Sequence, residues 1–182
     1  KQDIENASIL LEEYSNLSGD AIEIGGMSVS LHLLTAEEAR KNGNLDSQLL
    51  ELDKALVRAT KMTEERPFSD LVWSTLGAVY SEMGQEKEAL LAYEEAYRIS
   101  PKSKENIRNY VGSLFATGGD SNRLLRIVRL AHEQFPADKQ ILGAWIDVET
   151  KHGDLSKVLA HSQEQYLLHS DDRKNAIELA SF

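Results

Sequence analysis

The sequence predicts an all-α chain, a right-handed superhelix (solenoid) of antiparallel helix pairs. Three observations predict it. Only Pro67, Pro101 and Pro136 are prolines among 182 residues; helix interiors exclude proline, so the spans between them leave room for long helices. Ala, Leu, Glu and Lys dominate and β-branched runs are scarce, which favours helix. Glycines placed to precede each second helix recur at Gly43, Gly84, Gly119 and Gly153, at intervals of 41, 35 and 34 residues. Such a period marks a helical repeat.

Residues 1–27 read as an N-terminal capping helix and loop. Ile4, Ala7, Leu10, Leu11 and Tyr14 form one apolar side against Glu5, Glu12 and Glu13, and "SGDAIEIGGM" follows as a glycine-rich break. Residues 28–67 form a first, degenerate repeat that keeps Ala36, Ala39, Gly43, Leu52 and Ala55, with a long second helix.

Residues 68–103 carry the clearest pattern. Trp73, Leu76, Gly77 and Tyr80 recur at i, i+3, i+4 and i+7 on a helix from about Asp70 to Met83, one face of a 3.6-residue period. Gly77 costs up to about 1 kcal/mol in helix propensity, so its place on that face implies a close helix crossing, expected against Ala89. After the turn at Gly84, Ala89, Tyr93 and Ala96 line a second helix from about Glu86 to Ile99, and Pro101 ends it. Residues 104–137 repeat the scheme with Val111, Gly112, Phe115, Leu124, Val128, Ala131 and Pro136, with Arg108 where Trp stood. Residues 138–170 keep Leu142, Ala144, Trp145, Gly153, Val158 and Leu168, and residues 171–182 start a further helix. Asp46, Asp70, Asp120, Asp138, Asp154 and Asp171 are expected N-caps.

The series Trp73, Leu76, Gly77, Tyr80, Ala89, Tyr93, Ala96 and Pro101 resembles the tetratricopeptide repeat (TPR), whose pattern is W-x2-L-G-x2-Y, then A-x3-F, then P. The resemblance covers about residues 28–170. It implies stacked helix pairs whose first helices line a concave, ligand-binding side. Mapped onto this sequence, that side would present Ser74, Ala78, Ser81 and Glu82, then Asn106, Asn109, Ser113 and Thr117, then Gln140 and Asp147. Members of the family that clamp C-terminal carboxylates use Lys, Arg and Asn at such places. Here only Asn106 and Asn109 match, and the lysines are absent.

Composition narrows the chemistry. With no cysteine, disulfides and thiolate catalysis are excluded, and both cytoplasm and periplasm remain open. A net charge of −10 argues against bulk binding to nucleic acid or anionic membrane. No apolar run approaches the roughly 20 residues of a membrane span. No phosphate loop, dinucleotide fingerprint or nucleophile elbow occurs. "TGGDSN" (117–122) reads as a repeat turn, and Glu94-Glu95 as a solvated helix face. His32, His132, His152, His161 and His169 read as scattered surface histidines. No metal and no cofactor is therefore expected. Asn6-Ala7-Ser8 and Asn16-Leu17-Ser18 match the glycosylation acceptor, a match short enough to recur by chance.

Charge is uneven along the chain. Residues 98–130 hold seven basic side chains against Glu105 and Asp120, whereas residues 67–97 hold six acids and one lysine. Arg123, Arg126 and Arg129 spread over roughly a 120° arc of one helix. They are expected to face Glu88, Glu94 and Glu95 of the preceding repeat or to stay solvated; the alternative is a stripe for an acidic partner or a lipid headgroup.

The reading is a non-enzymatic protein-interaction module, a scaffold or adaptor for another protein or peptide. The alternative is a regulatory or docking array of an enzyme, or of an exopolysaccharide or secretion machine, with the active or membrane part elsewhere. Because Ala176, Ile177, Leu179, Ala180 and Phe182 would leave an apolar face uncovered, the chain is expected to continue beyond Phe182. The last helix is expected either to pack back on Trp145 and Leu168 or to self-associate.

Overall fold

In a computed structural model, the structure describes Leu10 and residues 22–168. The readings that fall on the N-terminal amphipathic stretch, on His169, Asp171, Asn6 and Asn16, and on the C-terminal 171–182 segment lie outside the described residues. Among those described there are eight helices and no strand: α1 (Ile22–Lys41), α2 (Leu45–Glu65), α3 (Asp70–Glu82), α4 (Glu86–Ile99), α5 (Lys104–Ala116), α6 (Ser121–Gln134), α7 (Lys139–His152) and α8 (Leu155–Leu168). They fall into two compact units, one ending at Thr117 and the other beginning at Gly118.

In the N-terminal unit each helix packs on the next, from α1 through α5, and α3 also touches α1 and α5. The core joins Val29, Ala55, Ala59, Met62, Val72, Leu76, Val79 and Ala92. The expected glycine-rich break is corrected here, because Ile22 to Met27 belongs to α1. Gly25 is buried, and a Cβ there would lie 2.9 Å from the Met62 sulfur. The glycine serves helix packing, and tertiary contact outweighs its weak helix propensity.

Helix α2 has 21 residues against 14 in α4. Asn44 caps α2, its side-chain oxygen accepting from the Ser47 N–H at 3.1 Å, so Asp46 sits in the first turn and not at the cap. Asp70 is likewise inside α3, behind Ser69. Both carboxylates still favour the positive end of the helix dipole. Asp120 and Asp138 do cap α6 and α7, and the Asp154 carboxylate accepts from the Ser156 N–H at 2.9 Å before α8.

The crossing of α3 and α4 is tight where Gly77 stands, but the neighbour is Tyr93, not Ala89. A Cβ on Gly77 would lie 2.6 Å from two atoms of the Tyr93 ring. Ala89, Ala92 and Ala96 are buried on α4, and small side chains let the two backbones approach. Trp73 is half-buried and donates its indole N–H to the Pro67 carbonyl at 2.8 Å.

The turn after α3 places Gly84 at φ 70°, and the turn after α5 places Gly118, not Gly119, at φ 63°. Both angles fall in the left-handed region that glycine enters without a Cβ clash. Gly153 does not share this role: its φ is −116°.

In the C-terminal unit α6 packs on α7 and α7 on α8. Three histidine positions need correction. The His132 ring stacks on Trp145 with centroids 4.6 Å apart, and His161 meets His132 edge-on at 4.6 Å and Trp145 at 5.1 Å. Burial, then the neighbouring His161, holds His132 below the usual histidine pKa. In the other unit His32 is buried and bonds Glu51 through Nδ1 at 2.7 Å. No i, i+4 spacing announces these contacts, because they join different helices. His152 is exposed.

Because Tyr93 occupies the space beside Gly77, Gly77→Leu is expected to cost about 1–3 kcal/mol by overpacking. The cost should shrink when Tyr93 is also replaced by Ala. Thermal or denaturant unfolding of the four proteins in this cycle measures both quantities, and equal costs in the two backgrounds would remove the crossing as its cause.

Candidate functional site

Helices α1 and α3 run side by side and leave a cleft of about 390 Å³ between them. Ser30, Leu33, Leu34 and Glu37 of α1 form one wall, Ala78, Ser81 and Glu82 of α3 the other, and Tyr93 of α4 adds its ring. The spacing of each wall residue is that of one helix face, so the same local geometry that buries Val29 and Val79 turns these outward. Leu34 is 59% exposed, Ser30, Ser81 and Glu82 are exposed, and Leu33, Glu37, Ala78 and Tyr93 are half-buried. The cleft lies at the small end of the size range of ligand sites.

Its charged groups are acidic. Glu37 pairs with Lys41 one turn along α1 at 2.8 Å, with both ends partly exposed, and this bond holds its pKa below the usual value. Burial first, then the Glu82 and Glu86 carboxylates, push the Tyr93 hydroxyl up to about 12. Tyr93 is therefore neutral at physiological pH, and the negative charge of the cleft comes from Glu37 and Glu82.

The residues assigned to a ligand-binding side separate into four groups. Ala78, Ser81 and Glu82 line this cleft. Asn106 and Ser113 are buried at 3% and 6% exposure, which removes them from any surface. The Asn106 amide donates to Asp70 Oδ2 at 2.9 Å and to the Ala96 carbonyl at 3.2 Å, tying α5 to α3 and α4. Asn109 donates to the Ser74 hydroxyl at 3.1 Å, and Thr117 donates back to the Ser113 carbonyl at 2.9 Å. Gln140 and Asp147 belong to the C-terminal unit, where both are exposed on α7.

Sequence reasoning missed the α1 wall and Tyr93. A signal existed for part of it. Carrying Ser74 and Ala78 back by the 41-residue interval from Gly84 to Gly43 lands on Leu33 and Glu37. Ser30, Leu34 and Tyr93 have no such signal, since their place depends on how the helices cross.

The three arginines differ in their surroundings. Arg129 forms a two-pronged pair with Glu149 of α7: Nε donates to Oε1, and Nη2 donates to Oε2 at 2.8 Å. This corrects the expected pairing with the acids of α4, of which Glu95 pairs with Arg98 at 2.7 Å. Glu149 is 1% exposed and also accepts the Asp154 N–H at 3.0 Å. Gly153 makes room for this arrangement, since a Cβ there would lie 2.8 Å from the Glu149 Cα. The Arg129 hydrogen bond, aided by Asp154, outweighs burial and holds the Glu149 carboxyl at about 2. Arg126 is exposed and Arg123 half-buried.

The arrangement is that of an antiparallel helix-pair protein with a surface cleft between successive first helices. Among solved structures it is similar to TTC0263, a thermophilic TPR protein of Thermus thermophilus. The TM-score is 0.58 and the identity 15%, covering 98% of this chain and 89% of that one. The chain thus has the fold seen in tetratricopeptide repeat proteins. Weaker likenesses are to the second TPR domain of human RPAP3, solved with an HSP70 peptide (TM-score 0.48, 12% identity, 66% of this chain and 98% of that one), and to the Sgt2 TPR domain of Aspergillus fumigatus (0.49, 18%, 67% and 82%). No known protein-family pattern matches the sequence, and no curated protein matches it.

The Arg129 side chain is 38% exposed, but its removal strands the buried Glu149 charge, so Arg129→Ala is expected to cost about 1–3 kcal/mol. Arg126→Ala should stay within about 0.5 kcal/mol, and unfolding midpoints of the two variants check the contrast. The pH dependence follows from the depressed Glu149 pKa. Between its unfolded value near 4.5 and its folded value of about 2, only the unfolded chain binds the proton, so stability falls as pH falls. The pair's contribution is fully present above 4.5, and Arg129→Ala should flatten this slope.

Proposed function

We propose that the chain is a non-enzymatic peptide-docking module and that its docking site is the cleft between α1 and α3. The carrying observation is that Leu33, Leu34 and Tyr93 line one cleft with exposed Ser30 and Ser81 at its edges. Apolar walls with a few polar groups supply contact area and orientation together. The fold supports the reading by analogy only, as folds host many functions. The cleft itself carries it: two helices hold its walls in fixed register, so a ligand binds without ordering a loop. Another protein enters as a segment laid into this cleft, and the module acts as scaffold or adaptor.

A random-peptide phage library selected on the purified chain tests this. Selected peptides are expected to lose at least about tenfold in affinity for Ser81→Trp, where the new ring fills an exposed edge of the cleft. Lys87→Trp, on an exposed α4 position outside it, should bind as the parent does. Peptides indifferent to Ser81→Trp would place the site elsewhere.

A further inference from the structure

Resting on that reading, we propose that the cleft selects peptides in which a Lys or Arg lies close to a bulky apolar residue. Two carboxylates, Glu37 and Glu82, stand on opposite walls, and no cationic side chain lines the cleft. Glu82 has no ion-pair partner among the described residues. Glu37 has only Lys41, which is 68% exposed. Exposed pairs of that kind contribute little, so an incoming cation displaces Lys41 at small cost.

The walls explain why a basic residue needs an apolar companion. Leu33 and Leu34 offer hydrocarbon to the companion and to the methylene stem of Lys or Arg, whose charged head stays at the carboxylate rim. The low polarity of that surface strengthens the attraction between head and carboxylate beyond its value in open water. Tyr93 also lines the cleft, and an aromatic ring attracts a cation that reaches its face. A peptide with Asp, Glu or a free C-terminal carboxylate at this point meets repulsion from both walls. The wider charge pattern agrees: residues 67–97 carry six acids and one lysine, a field that speeds the approach of basic partners.

The experiment sequences the selected phage peptides and measures their synthetic forms by fluorescence anisotropy against the parent and the Glu37→Gln/Glu82→Gln double variant. The expected set carries Lys or Arg within about four residues of an apolar side chain. These peptides should lose about tenfold in affinity for the double variant. Raising NaCl from about 0.05 to 0.5 M should weaken them on the parent but hardly on the variant. Peptides that are lost on Ser81→Trp, yet are neutral or acidic and indifferent to the glutamine pair, overturn the charge preference and leave the docking site standing. A library that yields no binder, or only binders unaffected by Ser81→Trp, overturns the docking site and the preference with it.

Discussion

Close approach of antiparallel helices is the constraint on which the N-terminal unit depends. An α-helix can bring its backbone near another only where side chains are small, and the sequence supplies Gly77 where α3 meets α4 and buries Ala89, Ala92 and Ala96 on α4. The Tyr93 ring fills the space that Gly77 leaves and thereby reaches the cleft between α1 and α3. One missing Cβ thus links core packing to the proposed docking surface. Dispersion across such a crossing is small per atom pair and large in sum, which is why a single added side chain is expected to be felt.

The C-terminal unit adds polar groups to a largely apolar helix contact, with Leu124, Val128, Ile141 and Val148 buried on α6 and α7. Arg129 and Glu149 join α6 to α7, and the Glu149 carboxylate also receives the Asp154 N–H at the turn into α8. A lone carboxylate at that depth would cost several kcal/mol, and the charged partner with its matched fork offsets it. His132, Trp145 and His161 add a cluster of three rings drawn from three helices. Such contacts fix geometry more narrowly than aliphatic packing does, since each has a preferred direction.

The cleft gains its character from what is absent around it as much as from what lines it. The basic side chains of residues 98–130 do not line it, and Asn106, one of the two amides that resembled a carboxylate-binding pair, is spent on Asp70 and the Ala96 carbonyl. An acidic, apolar-walled site remains. On the proposed reading its polarity suits a basic ligand, the reverse of what a clamp for C-terminal carboxylates needs.

The sequence by itself determined the helices, their antiparallel pairing and most of their ends. Periodicity, proline exclusion and turn glycines act within a few residues, so they are readable without knowing the partner elements. Helix α4, predicted from about Glu86 to Ile99, spans those residues, and Asp120 and Asp138 cap where expected. Repeat register also named three residues that line the candidate cleft, Ala78, Ser81 and Glu82. Only the tertiary structure decided which polar residues face inward. Asn106 is buried because Asp70 arrives beside it from 36 residues away, and Arg129 finds Glu149 20 residues on. A polar side chain carries no mark of such a partner in its own neighbourhood. Its burial is favourable only when the partner is present, and helix packing alone supplies that.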